Sequence, residues 1–258
     1  MEIGFDEIRK EIEDCEKLLI GIGEEWQQAE CAGVDEGYDL LAGLIREKDY
    51  FIVTMATDAR IYHSALGSEQ EYIHTAEQAA MEISCKAATD EDTRKLMDRL
   101  FPVSEKKETL SQRIVAPCGN ETWRQCSQTC TRDIWEPGEI PDDICPHCGA
   151  PLTGNTIEAG SYIEEGYLPQ WNRYMQWLSG TLNKKLLILE LGVGFKNPGV
   201  IRFPFEKTAF FNKKARMYRV NQTFSQITEE LQGKAVAVPE NSLKWIQALC
   251  NQECCDKL

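Results

Sequence analysis

Four cysteines in the arrangement Cys126-x3-Cys130-x14-Cys145-x2-Cys148 constrain this chain more than any other feature, because two close pairs of thiols can turn four sulfurs toward one point. The pattern reads as a structural zinc site. Gly149 after Cys148 lets the second knuckle fold back, and residues 145–151 have the turn-rich composition of a zinc-ribbon knuckle. Disulfides or free thiols are the other reading of this spacing, but nothing else points to an oxidising compartment. Four thiolates close a tetrahedral shell and leave no place for water or substrate, so the expected metal builds structure and performs no chemistry. The surrounding segment, 121–157, is poor in aliphatics and rich in Pro, Gly, Thr and Cys, so the metal replaces a core that the residues do not supply.

The full 258 residues are long enough for one large domain with a small module. With 28 basic and 42 acidic residues the net charge is −14, which repels a phosphate backbone and argues against nucleic acid as the main partner. The first seventeen residues, MEIGFDEIRKEIEDCEK, are acidic and helix-patterned and do not read as a signal peptide. No apolar stretch reaches the roughly 20 residues of a membrane span, so a cytoplasmic location is expected. Cys255-Asp256-Lys257-Leu258 lacks the aliphatic residues of a prenylation box, and Cys250, Cys254 and Cys255 read as tail thiols.

Short apolar runs alternate with helical patterns, which predicts an α/β fold with a mainly parallel sheet. The strand candidates are Leu18–Ile22, Tyr50–Met55, Ile114–Pro117, Leu186–Leu191, Met217–Val220 and Ala235–Val238. Helical patterns fall near 5–16, 38–47, 169–181, 223–232 and 241–250, the first with Phe5, Ile8, Ile12 and Cys15 on one face. Residues 68–112 are polar and helix-prone, with Leu96, Met97, Leu100 and Phe101 as their dense apolar cluster, and read as a helical insertion. Trp171, Tyr174, Met175, Trp177 and Leu178 recur at helical spacing, a face that belongs to a core or an interface. His63 and His74 have no partners at ligand spacing, and His147 lies inside the second knuckle, where four cysteines already fill the metal shell.

Two glycine pairs follow apolar strands: Gly21-Ile22-Gly23 after Leu18–Ile20, and Gly192-Val193-Gly194 after Leu187–Leu191. Glycine after a parallel strand lets backbone N–H groups approach a pyrophosphate without a Cβ in the way. A tight strand-to-helix turn without a ligand accounts for either pair equally well.

Taken in order, the first Gly-x-Gly, Thr54-Met55-Ala56-Thr57-Asp58, the four-cysteine ribbon, LGVG and a strand ending in Asn221 resemble a sirtuin. The branch most resembled is the macrodomain-linked bacterial one. Its ribbon is entered through a Trp, then Cys-Ser-Gln and a second Cys, here Trp123-Arg124-Gln125-Cys126-Ser127-Gln128-Thr129-Cys130. Its later strand reads Glu-x-Gly-Val-Gly, here Glu190 to Gly194, and the Phe-Pro-Phe core within 198–207 is similar too. The likeness covers about 18–66 and 113–250. It implies a Rossmann-type domain over 1–120 and 158–258, interrupted by a zinc-ribbon module at 121–157. It also implies NAD as cofactor, with acyl or ADP-ribosyl transfer on a protein substrate or partner. By the same resemblance Gly21, Gly23, Thr54, Asp58, Gly192, Val193, Gly194 and Asn221 would meet the cofactor, and Cys118 and Asp58 would stand at the catalytic positions.

The departures are as specific as the matches. Gly23 is followed by Glu24-Glu25-Trp26, and thirty residues separate Gly23 from Thr54, which leaves little room for the family's cofactor-covering loop. Glu24 beside a pyrophosphate would repel it. Ala56 replaces the Asn of the family's Thr-x-Asn-x-Asp motif, and Cys118, before Gly119, replaces a His or Gln. A weakened transferase or deacylase is therefore expected. Its rival is a catalytically silent module that binds a nucleotide or a protein partner, or a plain zinc-stabilised scaffold.

Overall fold

The structure is a computed structural model and describes residues 4–28, 31–67 and 113–251. The expected insertion at 68–112, His74, and tail thiols Cys254 and Cys255 lie outside the described residues. The chain runs α1 (Phe5–Asp14), β1 (Lys17–Ile22), α2 (Glu24–Gln28), α3 (Cys31–Ile45), β2 (Tyr50–Thr54) and α4 (Arg60–His63). It continues through β3 (Ile114–Val115), β4 (Gly119–Cys126), β5 (Ile134–Trp135), β6 (Leu152–Thr156) and α5 (Leu168–Ser179). It closes with β7 (Leu186–Leu191), α6 (Arg202–Phe211), β8 (Arg216–Val220), β9 (Ala235–Val238) and α7 (Ser242–Asn251).

Six strands form one parallel sheet in the order β3-β2-β1-β7-β8-β9, the Rossmann arrangement with strand order reversing between β1 and β7. Both sheet faces are covered, which is why the strands are near-continuous apolar runs. Leu18, Ile20 and Ile22 of β1 face a core built with Ile8, Ile12, Tyr38, Leu41, Leu243 and Ile246, from α1, α3 and α7. Leu19 faces the opposite core with Phe51, Tyr174, Ile188, Ile201 and Phe205. The aromatic face of α5 packs as expected: Tyr174 and Trp177 lie 5.3 and 5.9 Å from Phe51, while Met175 turns outward.

Two helices are placed differently from the sequence reading. Residues 223–232 carry only a short 3-10 turn at Glu229–Leu231, because Asn221 Oδ1 accepts the N–H groups of Thr223 and Phe224 and captures the donors that would start a helix. The helix that crosses from β7 to β8 is instead Arg202–Phe211, whose Pro204 sits in the first turn where its missing N–H costs nothing.

The ribbon is a separate antiparallel sheet, β5-β4-β6, spliced between β3 and α5. It is tied to the main sheet at Thr57: Glu121 N donates to Thr57 O at 2.8 Å, Thr57 Oγ1 donates to Glu121 Oε1 at 2.8 Å, and Gln27 Nε2 donates to Thr57 Oγ1. At its base Gln125 and Asn155 make a buried network. Asn155 Nδ2 donates to Gln125 Oε1 and Ile163 O, and Ile163 N also donates to Gln125 Oε1.

Beneath β7 and β8 lies a buried ion cluster. Arg219 grips both oxygens of Glu190 at 2.6 and 2.9 Å and also meets Glu206, while Arg202 lies 3.5 Å from Glu190. Glu190→Ala would leave two buried guanidiniums without their shared carboxylate. Urea unfolding is expected to show a loss of about 3–5 kcal/mol, and a change below about 1 kcal/mol would mean that water reaches the cluster.

Candidate functional site

Both glycine turns leave the same edge of the sheet. Ile22 of β1 pairs with Leu191 of β7, so Gly23 and Gly192 follow adjacent strands at the point where strand order reverses. Gly23 N donates to Leu191 O, and a Cβ on Gly23 would stand 2.3 Å from Val193 Cα and 2.5 Å from Gly192 O, so the two turns touch backbone to backbone. Gly192 has φ +70°, a left-handed conformation that favours glycine, and a Cβ there would meet Glu25 Cβ and Ser242 Oγ at 2.6 Å. Gly21 is a packing glycine: its missing side chain leaves room for Ile201 and Phe205 beneath the turn.

The glutamates that follow Gly23 decide the chemistry of this edge. Glu24 Oε2 accepts from Gly194 N at 2.6 Å and Glu24 Oε1 from Lys196 N at 3.2 Å. Glu25 Oε1 accepts from Gln222 N at 2.7 Å, and Glu25 Oε2 from Ser242 N and Ser242 Oγ at 2.8 and 2.7 Å. Trp26 is turned away from the crevice. It is fully buried against Tyr38 at 5.0 Å, with its indole N–H on Ser242 Oγ.

The remaining residues named from sequence surround this edge. Asn221 is buried, its Nδ2 donating to Val193 O at 3.1 Å while Oδ1 takes the 223 and 224 amides, so its side chain organises the loops after β7 and β8. Thr54 Oγ1 accepts from Ala56 N and fixes the turn after β2. Asp58 accepts from Arg60 N and pairs with Arg60 Nε at 3.5 Å, which is a turn-forming role at the start of α4. Cys118 is buried at 2% exposure, and burial pushes its thiol up to about 11, with the charge of Glu24 raising it further and Lys196 opposing. It holds its proton at neutral pH.

Sequence reasoning missed Arg202. Its Nη1 donates to Val193 O at 2.8 Å, its Nη2 to Phe224 O at 2.6 Å, and its guanidinium lies 4.3 Å from the centre of the Phe195 ring. Arg202 and Asn221 together hold the Val193 carbonyl down and so aim the Gly194 N–H outward. Nothing in the spacing of an isolated arginine near a Phe-Pro-Phe run marks it for this role.

At the ribbon tip the sulfurs of Cys126, Cys130, Cys145 and Cys148 lie within 4.8 Å of one another, with Cys126 and Cys148 3.6 Å apart and Cys130 and Cys145 3.5 Å apart. Zinc–sulfur bonds of about 2.3 Å place tetrahedral sulfurs roughly 3.8 Å apart, so the cluster fits zinc. The separations are too long for disulfides, and all four cysteines are free. The Cys130 N–H, directed at the Cys126 sulfur, lowers that thiol and Gln128 N–H adds to it, while the neighbouring sulfurs raise Cys130, so the four thiols share their protons unequally. Gly149 closes the second knuckle at φ +72° with its N–H on Cys145 O, and Thr129 makes the corresponding turn in the first at φ +49°. His147 stacks on Trp135 and hydrogen-bonds Asp133, outside the sulfur shell.

A Rossmann sheet carrying a four-cysteine ribbon between its third and fourth strands defines the class. Solved structures superpose along all or nearly all of the chain. A Sir2 homologue carrying a histidine-to-asparagine substitution and bound to ADP-ribose covers 100% of this chain, with 99% of its own length, at TM-score 0.52 and 13% identity. A structure describing the basis of sirtuin substrate affinity covers 98%, with 99% of its own length, at TM-score 0.55 and 11% identity. Among curated proteins, a protein ADP-ribosyltransferase of Staphylococcus aureus is 25% identical over 141 residues, which are 48% of this chain and 45% of that one. A probable bifunctional ADP-ribose hydrolase/ADP-ribosyltransferase of Fusarium oxysporum is 37% identical over 79 residues, 30% of this chain and 13% of that one. The matches thus span less than half the length of either curated relative. No family model matches. The chain shares the fold of the solved sirtuins. Among the described residues no helix is long and apolar enough to cross a membrane.

Two outcomes follow. Metal analysis of protein purified without chelator is expected to return one zinc per chain, lost in Cys145→Ser, which also opens the ribbon to protease; four reactive thiols and no stoichiometric metal would reject the site. At pH 7.5 roughly one Cys118 in three thousand is a thiolate, so its alkylation, followed by peptide mass spectrometry, should be slow and rise about tenfold per pH unit up to about 11. Labelling as fast as that of a free thiol would show a lowered pKa instead.

Proposed function

We propose that this chain is a nucleotide-site protein of the sirtuin fold whose reaction is NAD-dependent ADP-ribosyl transfer to a protein side chain, slowed by the loss of motif residues. The observation that carries the proposal is the meeting of two glycine turns at the β1/β7 reversal, with outward N–H groups at Gly194 and Lys196 that already hold an anionic carboxylate. That donor set fits a phosphate equally well. The curated relatives' names favour ADP-ribosyl transfer over deacylation.

NAD, when bound, supplies the ADP-ribosyl group and nicotinamide as leaving group. The turns at Gly23 and Gly192–Gly194 would hold its phosphates, and the segment Thr54–Asp58 would face its nicotinamide end. This chain's own residues contribute little beyond binding. Ala56 is buried and offers a methyl where an amide would position ribose and water. Cys118 retains its proton and removes none from a ribose hydroxyl. A catalytically silent module that binds a nucleotide or a protein partner is the second reading, favoured by those same two positions.

Nicotinamide release from NAD, in the presence of a protein acceptor or an acetyl-lysine peptide, is expected about 10²–10⁴ below that of an ordinary sirtuin, the loss that a missing general base produces. Ala56→Asn combined with Cys118→His should raise it. No release from either protein would leave the silent module standing.

A further inference from the structure

The donors engaged by Glu24 and Glu25 come from three loops in succession: Gly194 and Lys196 after β7, Gln222 after β8, and Ser242 after β9. These loops form the carboxyl-terminal edge of the second half of the sheet, where a Rossmann fold exposes amides to a dinucleotide. Glu24 uses each of its two oxygens on a different amide of one turn, the way two oxygens of a phosphate are held in a backbone nest. Its carboxyl oxygens lie 3.3 and 3.4 Å from where a Gly194 side chain would begin, so it fills the cradle that this glycine leaves open. Arg202 is hydrogen-bonded to Val193 O, Phe224 O and Glu190, and its charge, which also reaches Glu24, is shared among several carboxylates.

We infer that Glu24 is an internal substitute for a phosphate and is the residue that sets this crevice's selectivity, opposing ligands that carry a pyrophosphate and leaving phosphate-free nucleosides unaffected. The inference rests on the nucleotide-site function proposed for this crevice. A dinucleotide must displace the Glu24 carboxylate from Gly194 and Lys196 and then lie beside its charge. A nucleoside that leaves those amides alone meets no such contest. Glu25 acts differently. With three donors on two loops it fastens the start of α7 to the turn after β8, and it stays in place when Glu24 moves.

The test is calorimetry on the full zinc-loaded chain with ADP-ribose, inorganic pyrophosphate and adenosine, comparing wild type with Glu24→Gln and Glu24→Asp. Glu24→Gln keeps the shape and removes the charge, and it is expected to bind ADP-ribose and pyrophosphate at least tenfold more tightly with adenosine unchanged. Glu24→Asp keeps the charge but is too short to span both amides, and it should gain less. Thermal melting of each variant confirms that the fold is retained. Measurable ADP-ribose binding that is equal in all three proteins would overturn the role of Glu24 and leave the nucleotide reading intact. Binding of none of the three ligands by any protein at millimolar concentration would overturn the nucleotide reading, and the role of Glu24 with it.

Discussion

The parallel pairing of β1 with β7 is the contact on which the rest of this molecule depends. It joins the two halves of the sheet and runs in register from Lys17 with Leu186 to Ile22 with Leu191. A slip of one residue would turn Leu18, Ile20 and Ile22 to the wrong face. It would also set a side chain against Ile201 and Phe205, where only Gly21 fits. Once this register holds, Gly23 must touch the backbone of Gly192 and Val193, and the next residue must fall on the Gly194 amide. The position of Glu24 is therefore a consequence of strand pairing and not of loop flexibility.

The sheet was legible in the sequence because strands buried on both faces must be apolar along their whole length. All six strand candidates occur within a few residues of their expected bounds, Leu186–Leu191 and Ala235–Val238 with no change. The helices were less legible where polar capture competes with periodicity: Thr223 to Gln232 has a helical pattern, but Asn221 takes its first donors. The four-cysteine cluster was legible from spacing alone, since two knuckles need nothing from the rest of the chain. Glu24 was seen as a charge that a phosphate would meet, but its bonds to Gly194 and Lys196 were not, because they join residues 170 and 172 positions apart. Arg202 was invisible for the same reason, its carbonyl partners being set by the turns of two loops.

The ribbon is connected to the crevice through Thr57, the residue between Ala56 and Asp58. Thr57 exchanges hydrogen bonds with Glu121 at the start of the ribbon and accepts one from Gln27 of α2, the helix that begins with Glu24. The first turn, the segment after β2 and the ribbon are thus one hydrogen-bonded unit. A metal that held the ribbon rigid would also hold the strand β4 that carries Glu121, and would so act on the crevice through position and not through charge.

Outward backbone N–H groups left without acceptors at a half-buried edge are costly, and they are satisfied by ligand, water or side chain. The fold determines where those donors point, since Arg202 and Asn221 aim them by holding the Val193 carbonyl. The residue after Gly23 determines what accepts them. A small residue there would present the same donors open to a phosphate, whereas glutamate completes them from within a chain whose net charge is already −14. Backbone superposition on solved sirtuins at 11–13% identity reports the fold alone and is blind to this acceptor. The fold of this edge and what fills it are accordingly carried by different atoms, the first by the backbone of the β7 turn and the second by the Glu24 side chain opposite it.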